Sequence, residues 1–366
     1  MADAHTIDRT PSGPAACFSL LALVLLGTRF VQGFIFWGGA SRRLLYNFHE
    51  VHGVDVASKL DFDSTGFVAN KLTHALPGTL WIQGPLEWTL QHPDLLIASV
   101  WIWTIAELIV GLGLIFGLGT RLFALVSIGL NIALMLIFGW MGSTCLDEWT
   151  MAVSGVAMSS AIFLAGGGAW SLDSFIGRSQ WAKRSPWSGW VLSGPLPLHS
   201  VKTLGLVLAA FAVVFTVGSY QILFSAMMSP QHARVSYHAH NIALSDAAVA
   251  TNGVVTFKAY VDAGPDTGAA YIIAARLIDA SGGTVAEWDG ATLAALPDTA
   301  IRNVYPYVWA SHFKTETIGF GGQTGARATI TLPPPQTAGA GTARAFVLEA
   351  INGATWQAEV ANDSAR

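Results

Sequence analysis

The sequence predicts a membrane-spanning α-helical bundle followed by an all-β sandwich, and three observations carry that reading. Charged residues make up 11% of the 366 and apolar residues 52%, against about a quarter and just under half in ordinary globular chains. Five stretches are long and apolar enough to cross a bilayer, whose hydrocarbon core takes about 20 residues of helix. After Pro230 the texture changes to short β-prone runs broken by turn signals.

The five stretches run Cys17–Trp37, Leu95–Leu118, Leu122–Trp140, Thr150–Ala169 and Leu204–Met227. The first exceeds the core of a signal peptide and carries Arg29, so it reads as a retained helix. The organisation that follows is a cytoplasmic tail over 1–16 and a four-helix membrane domain over 17–175 with a long external loop at 38–94. A cytoplasmic loop over 176–202, a fifth span over 203–228 and an extracytoplasmic β-sandwich over 231–366 complete the chain.

Orientation follows from short basic loops. Arg178, Lys183, Arg184 and Lys202 stand against a single acid, Asp173, between the fourth and fifth spans, and Arg121 opens the third. These place the chain as a multi-pass protein of the cell inner membrane with its C-terminal domain in the periplasm. Arg42 and Arg43 run against the rule, although the external loop also supplies Glu50, Asp55, Asp61, Asp63 and Glu87. A formal net charge of -4 with no basic run offers no face for nucleic acid. The two cysteines, Cys17 and Cys145, fall at opposite membrane faces and cannot bridge.

In the C-terminal part, Val254–Val261, Tyr271–Leu277, Ala328–Leu332 and Ala345–Ile351 read as strands. Ala263-Gly264-Pro265-Asp266, Ser281-Gly282-Gly283 and Pro333-Pro334-Pro335 mark the turns between them. Several short strands without an amphipathic helix suggest a β-sandwich.

Charges inside a bilayer are the first candidates for chemistry, since each costs about 2.5–3.5 kcal/mol at mid-helix. Arg29 falls about 12 Å below the outer end of the first span, and Glu107 about 15–18 Å below the outer start of the second. An Arg29–Glu107 pair is therefore expected, completed by Gln32 and Asn131, with Trp149 grouped at the outer start of the fourth span. Such a cluster serves either as an ion pair that fixes helix register or as a site that binds a quinone carbonyl and passes protons to it.

The turn Gly142-Ser143-Thr144-Cys145-Leu146-Asp147-Glu148-Trp149 is the second feature. A thiol there is accessible, but Asp147 and Glu148 would raise its pKa unless a cation compensates. Arg42, Arg43 and His49 are the external groups that could hold an anion beside it. The same carboxylates also suit the first turn of the fourth helix, and Cys145 could simply pack a tight turn. Tyr237-His238-Ala239-His240 puts two histidines on one strand face, a spacing compatible with copper or zinc, but no third ligand is identifiable. No haem-attachment motif, and no flavin- or nicotinamide-type glycine loop in a strand–helix setting, occurs.

Taken together, the motifs resemble a known family. Arg29 with Gly33, then Glu107-Leu108-Ile109-Val110-Gly111-Leu112-Gly113 through Gly117 to Thr120-Arg121, resembles the DoxX/DoxD membrane fold, as does Gly166 to Asp173. The Cys145–Trp149 turn narrows this to the DoxD branch. His240–Asp246, Ala263–Thr267, Arg276–Asp279, Trp288-Asp289, Leu332–Pro334 and Ile351–Trp356 look like DoxA. The resemblance implies a fused thiosulfate:quinone oxidoreductase, which oxidises thiosulfate to tetrathionate and passes electrons to membrane quinone. It also leaves open a non-catalytic subunit docked to a terminal quinol oxidase, a DoxX-type scaffold or transporter, and a homo-oligomer.

Overall fold

The computed structural model describes residues 13–45, 50–51, 54–55, 58–138, 146–185, 187–224, 239–265, 268–335 and 341–361. Helices α1 (Pro14–Val24) and α2 (Leu26–Leu44) are followed by a two-residue strand pair, β1 (Glu50–Val51) and β2 (Val54–Asp55). Then come α3 (Asn70–Ala75), α4 (Gln83–Leu90), α5 (Pro93–Phe116), α6 (Thr120–Phe138) and α7 (Leu146–Ala165). Three short helices, α8 (Leu172–Ile176), α9 (Gln180–Arg184) and α10 (Ser188–Val191), lead into α11 (Leu198–Phe224).

By length and composition α5, α6 and α11 are each able to cross a membrane, and the bent α1–α2 pair makes a fourth if taken as one span. The described apolar part of α7 is shorter, Met151–Ala165. In α11 none of the most apolar window is buried by protein. Such a surface suits a lipid environment.

The first span departs from expectation. Its helix breaks at Leu25 with a bend of 51° and then continues to Leu44, seven residues beyond the expected end. Only Gly27 and Thr28, both weak helix formers, mark the break in sequence. Arg42 and Arg43 therefore belong to the last turn of α2 rather than to a loop.

The chain divides into two compact units. The first takes Met1–Tyr46, Trp101–Ala133 and Thr150–Tyr220. Within it α2 crosses α5 at glycines: a Cβ on Gly33 would lie 2.9 Å from Gly111 O, and one on Gly111 would lie 2.9 Å from Gly33 O. Small residues allow this backbone approach, on which helix association in lipid depends. Phe36, Val110, Leu114, Ala124 and Ile162 fill the space beside the crossing.

The second unit takes Asn47–Val100, Leu134–Trp149 and Gln221–Arg366. Its strands are β3 (Asn241–Val249), β4 (Val255–Ala263), β5 (Ala270–Ile278), β6 (Thr284–Trp288), β7 (Ile301–Asn303) and β8 (Phe313–Thr315). To these are added β9 (Phe320–Gly322), β10 (Arg327–Leu332), β11 (Ala345–Ala350) and β12 (Thr355–Ala361). They pair in the order β7-β10-β4-β3-β12-β11-β5-β9-β8, with β6 on β5. Every pairing is antiparallel except β12 with β3. Alternate residues point inward, as in β10 where Ala328, Ile330 and Leu332 are buried. Phe257 of β4 meets Phe346 of β11 across the core at 4.5 Å between ring centroids. The result is a sandwich closed almost into a barrel. All four expected strands are present, within two residues at each end.

The segment between α2 and α5 is part of this second unit. Phe62 and Phe67 pack edge-on and tilted against Tyr307 and Trp309. Tyr307 Oη donates to Leu90 O at 3.0 Å, and Ser311 N to Thr73 Oγ1 at 3.2 Å. Gly325, at φ +83°, lies so close to the Thr73 carbonyl that no Cβ fits between them.

Candidate functional site: a buried ion pair in the helical bundle

Polar groups in the first unit fall into three groupings. Nearest the Leu26 end of α2, Arg29 donates from Nη1 to Gly167 O and from Nη2 to Trp170 O, both at 2.7 Å. Arg121, fully buried at 0% exposure, donates to the carbonyls of Phe163 (2.9 Å), Leu164 (3.4 Å), Gly194 (2.7 Å) and Gly189. These include carbonyls at the end of α7, which lack helical partners and attract positive charge. Asp173, also fully buried, accepts from Gly119 N at 2.6 Å, Thr120 N at 2.9 Å and Ser193 Oγ at 2.8 Å. It thereby caps the positive N-terminus of α6.

One level along the bundle, Gln32 Nε2 donates to Ser127 Oγ at 3.0 Å, which in turn lies 2.7 Å from Ser159 Oγ. Asn131 Nδ2 reaches Ser127 O at 2.8 Å. Gln32 Oε1 is buried and finds no donor among the described residues.

Toward the Leu44 end, Glu107 is 7% exposed. Its Oε2 pairs with Arg43 Nη2, and its Oε1 accepts from Trp103 Nε1 at 2.8 Å. Gly39 makes room, since a Cβ there would lie 3.1 Å from Glu107 Oε2. Arg43 Nε remains buried without a hydrogen-bond partner.

This arrangement corrects the expected pairing. Glu107 takes Arg43, and Arg29 takes carbonyls. The depth count assumed one straight helix ending at Trp37; the break at Leu25 puts Arg29 in the first turn of α2, while the extension to Leu44 carries Arg43 over Glu107. Arg43 is thus engaged inside the bundle rather than standing free for an anion. Arg121 is likewise no surface charge, so the orientation argument retains only the exposed Arg178, Lys183, Arg184 and Lys202. Gln32 and Asn131 do meet, through Ser127.

Of the remaining expected residues, Arg42 is exposed and donates from Nε to its own helix at Gly38 O, 3.0 Å away. Asp147, Glu148 and Trp149 occupy the first turn of α7. Cys145, His49 and His238 lie outside the described residues. His240 precedes β3 with Nε2 at 3.1 Å from Pro265 O, and burial lowers its pKa. Among the described residues no group of three or more metal-ligating side chains gathers. Sequence reasoning missed Arg43 as the partner of Glu107 and Asp173 as the cap of α6. The spacing of Gly39 four residues before Arg43, which puts a small residue and the arginine on one helix face, was the available signal for the first.

Two family models match this chain. One, described as TQO small subunit DoxD, covers residues 25–199. The other, described as TQO small subunit DoxA, covers residues 238–359. The chain belongs to the DoxD/DoxA family. The DoxD match takes in all three polar groupings of the bundle, and the DoxA match takes in all the strands from β3 to β11. Both halves, named as separate small subunits, stand here in one polypeptide. The shared description points to an oxidoreductase role.

Proposed function

We propose that this chain is a membrane thiosulfate:quinone oxidoreductase, and that quinone is reduced beside the Arg43–Glu107 pair. The supporting observation is a buried carboxylate–guanidinium pair with an unused Arg43 N–H, held in an apolar bundle that matches DoxD. A quinone carbonyl is an acceptor and suits that N–H. Among the described residues Glu107 is the carboxylate beside that N–H, placed to pass a proton to the reduced oxygen, and Trp103 orients it. Two thiosulfate dianions lose one electron each and join through a sulfur–sulfur bond as tetrathionate; the quinone takes both electrons and two protons.

The orientation proposed is inner membrane, with 177–200 cytoplasmic and the β domain periplasmic. Cys145 is assigned the thiol that divides the sulfur chemistry. Its thiolate and one thiosulfate form a sulfur–sulfur bond while two electrons pass to quinone. A second thiosulfate then displaces the thiolate and leaves as tetrathionate. Arg42 or His49 is the group proposed to hold the anion and to offset the charges of Asp147 and Glu148.

Purified protein in lipid, given thiosulfate and a soluble quinone, is expected to form quinol and tetrathionate in equal amounts. No quinol from the isolated chain, together with co-purification of haem subunits that restores it, would instead support an accessory subunit of a terminal oxidase, the reading the word subunit in both descriptions favours. Cys145→Ser turning over at the parental rate would remove the thiol from the mechanism.

A further inference from the structure

The second unit contains a set of buried polar hydrogens with no acceptor. Arg327 of β10 and Tyr260 of β4 are cross-strand partners, and the guanidinium carbon sits 4.0 Å above the tyrosine ring. Val304 N donates to Arg327 O at 2.8 Å, which brings the next residue, Tyr305, to the same rim of the sheet. Arg327, Tyr260 and Glu87 all lie within electrostatic reach of the Tyr305 hydroxyl. Arg327 Nη2 pairs with Glu87 Oε1 at 2.8 Å. The Arg327 Nε and Tyr305 Oη atoms are buried and have no hydrogen-bond partner among the described residues, and the buried Tyr260 Oη has only the Arg327 guanidinium, a donor, beside it and no acceptor for its own hydrogen.

Three neighbouring donors lacking an acceptor are costly to bury. Tyr305 is only 2% exposed, whereas 24% of the Arg327 side chain and 27% of the Glu87 side chain reach the surface. The exposed edge that Arg327 shares with Glu87 is the side from which a small ligand would reach the set once Glu87 swings away. Burial pushes the Tyr305 phenol up to about 12, so its hydroxyl stays a donor at neutral pH. The set offers one cationic fork and two hydroxyls, a pattern that matches several oxygens on one atom. Glu87 is the single competing acceptor.

We propose that Arg327, Tyr260 and Tyr305 form a binding site for the sulfonate end of a small divalent sulfur oxyanion, with Glu87 as the internal competitor that the anion displaces from the guanidinium. The site deepens the oxidoreductase reading by naming a second place, besides the anion groups proposed at Cys145, where the sulfur substrate is held, and it rests on that reading for the identity of the anion.

The test is isothermal titration of the full chain in detergent with thiosulfate, sulfate and chloride at matched ionic strength. Thiosulfate is expected to bind saturably, and Tyr305→Phe and Tyr260→Phe to weaken it about tenfold each, the usual scale for one hydrogen bond to a charged group. Glu87→Gln should tighten binding, which a purely structural salt bridge would not do. Equal binding of sulfate places recognition on the shared oxygens, and a preference for thiosulfate adds the outer sulfur; both support the site. Both phenylalanine variants titrating like the parent, as expected if the donors enclose only a trapped water, would overturn it, as would no saturable binding by the parent. Tyrosine to phenylalanine keeps the ring, so elution on size exclusion should be unchanged. Binding with this variant pattern but no quinol formation would defeat the oxidoreductase reading alone. Quinol formation at the parental KM in Tyr305→Phe would defeat the anion site alone.

Discussion

The two ends of the helical bundle use buried charge in opposite ways. At the Leu26 end, Arg29, Arg121 and Asp173 are committed mainly to the backbone: the arginines to carbonyls and the aspartate to two amides and the Ser193 hydroxyl. At the Leu44 end, Arg43 and Glu107 are committed to each other and to Trp103. Arg29 and Arg121 bond to carbonyls, and both Asp173 oxygens are occupied by N–H and O–H donors, so the first arrangement holds structure. Glu107 instead faces a guanidinium with an unused N–H, so the second is the one proposed to exchange a proton as well. Two charge clusters of similar composition in one helical layer thus differ in what they face, and that difference separates scaffold from candidate site.

The largest effect that would test this contrast is on folding. Arg121→Leu leaves carbonyls around α7 without donors, and Asp173→Ala removes three hydrogen bonds, two of them to the N-terminus of α6. Each should cost on the order of 5 kcal/mol, since breaking a buried charge arrangement typically costs about 3–5 kcal/mol and charged hydrogen bonds about 1.5–3 kcal/mol each. That is comparable with the whole stability of many domains. Little monodisperse protein should survive detergent extraction on size exclusion. Recovery of normally folded Arg121→Leu with impaired quinone reduction would reverse the assignment of that end.

Next in size is the Arg43–Glu107 pair. Glu107→Leu alone leaves Arg43 buried without its counter-ion, and about 3–5 kcal/mol of stability should go with it. Arg43→Leu combined with Glu107→Leu should recover most of the folded yield, because a buried pair replaced by apolar groups is often neutral. Quinone reduction should not recover, and should stay down by about 100-fold or more, the usual weight of a proton-transferring group. A double variant that folds and turns over normally would make the pair a register device like its counterpart.

How much of this was legible before the structure depended on the range of the contact involved. Of the five expected spans, α5, α6 and α11, with the bent α1–α2 pair as a fourth, showed in hydropathy because each satisfies the bilayer along its own length. The strands showed because inward and outward residues alternate locally, as in Arg327–Leu332. The Arg43–Glu107 pair did not show, because its depth depends on the break at Leu25, which only weak helix formers mark. Nor did the joining of the α2–α5 segment to the sheet show. Phe62 and Phe67 find Tyr307 and Trp309 some 240 residues away, and aromatic side chains in a loop read equally well as interfacial anchors. Asp173 stood in view as an acid in a basic loop, but its role as the cap of α6 depends on a tertiary approach to Gly119 and Thr120.

The smallest expected effect lies between the two ends, at Gln32. Its amide donates to Ser127 at 3.0 Å, while its carbonyl oxygen is buried without a donor. Gln32→Met keeps the length of the side chain and removes both groups. The lost hydrogen bond is worth about 1 kcal/mol, and deleting an unsatisfied buried acceptor returns about 1–3 kcal/mol. Ser127 keeps Ser159 as a partner. Thermal stability should therefore stay level or rise by a few degrees, and quinone reduction should stay within about twofold of the parent, because Gln32 touches neither Arg43 nor Glu107 in any of its hydrogen bonds. The alternative is equally readable. The unpaired oxygen of Gln32 is an acceptor of the kind a quinol hydroxyl needs, and if the quinone reaches this level the variant will fold well yet lose turnover as Glu107 variants do. Stability by thermal shift and turnover by quinol absorbance, measured on the same preparation, separate the two. Unchanged stability with lost activity would extend the chemical site from the Leu44 end down to Ser127 and confine the purely structural charges to Arg29, Arg121 and Asp173.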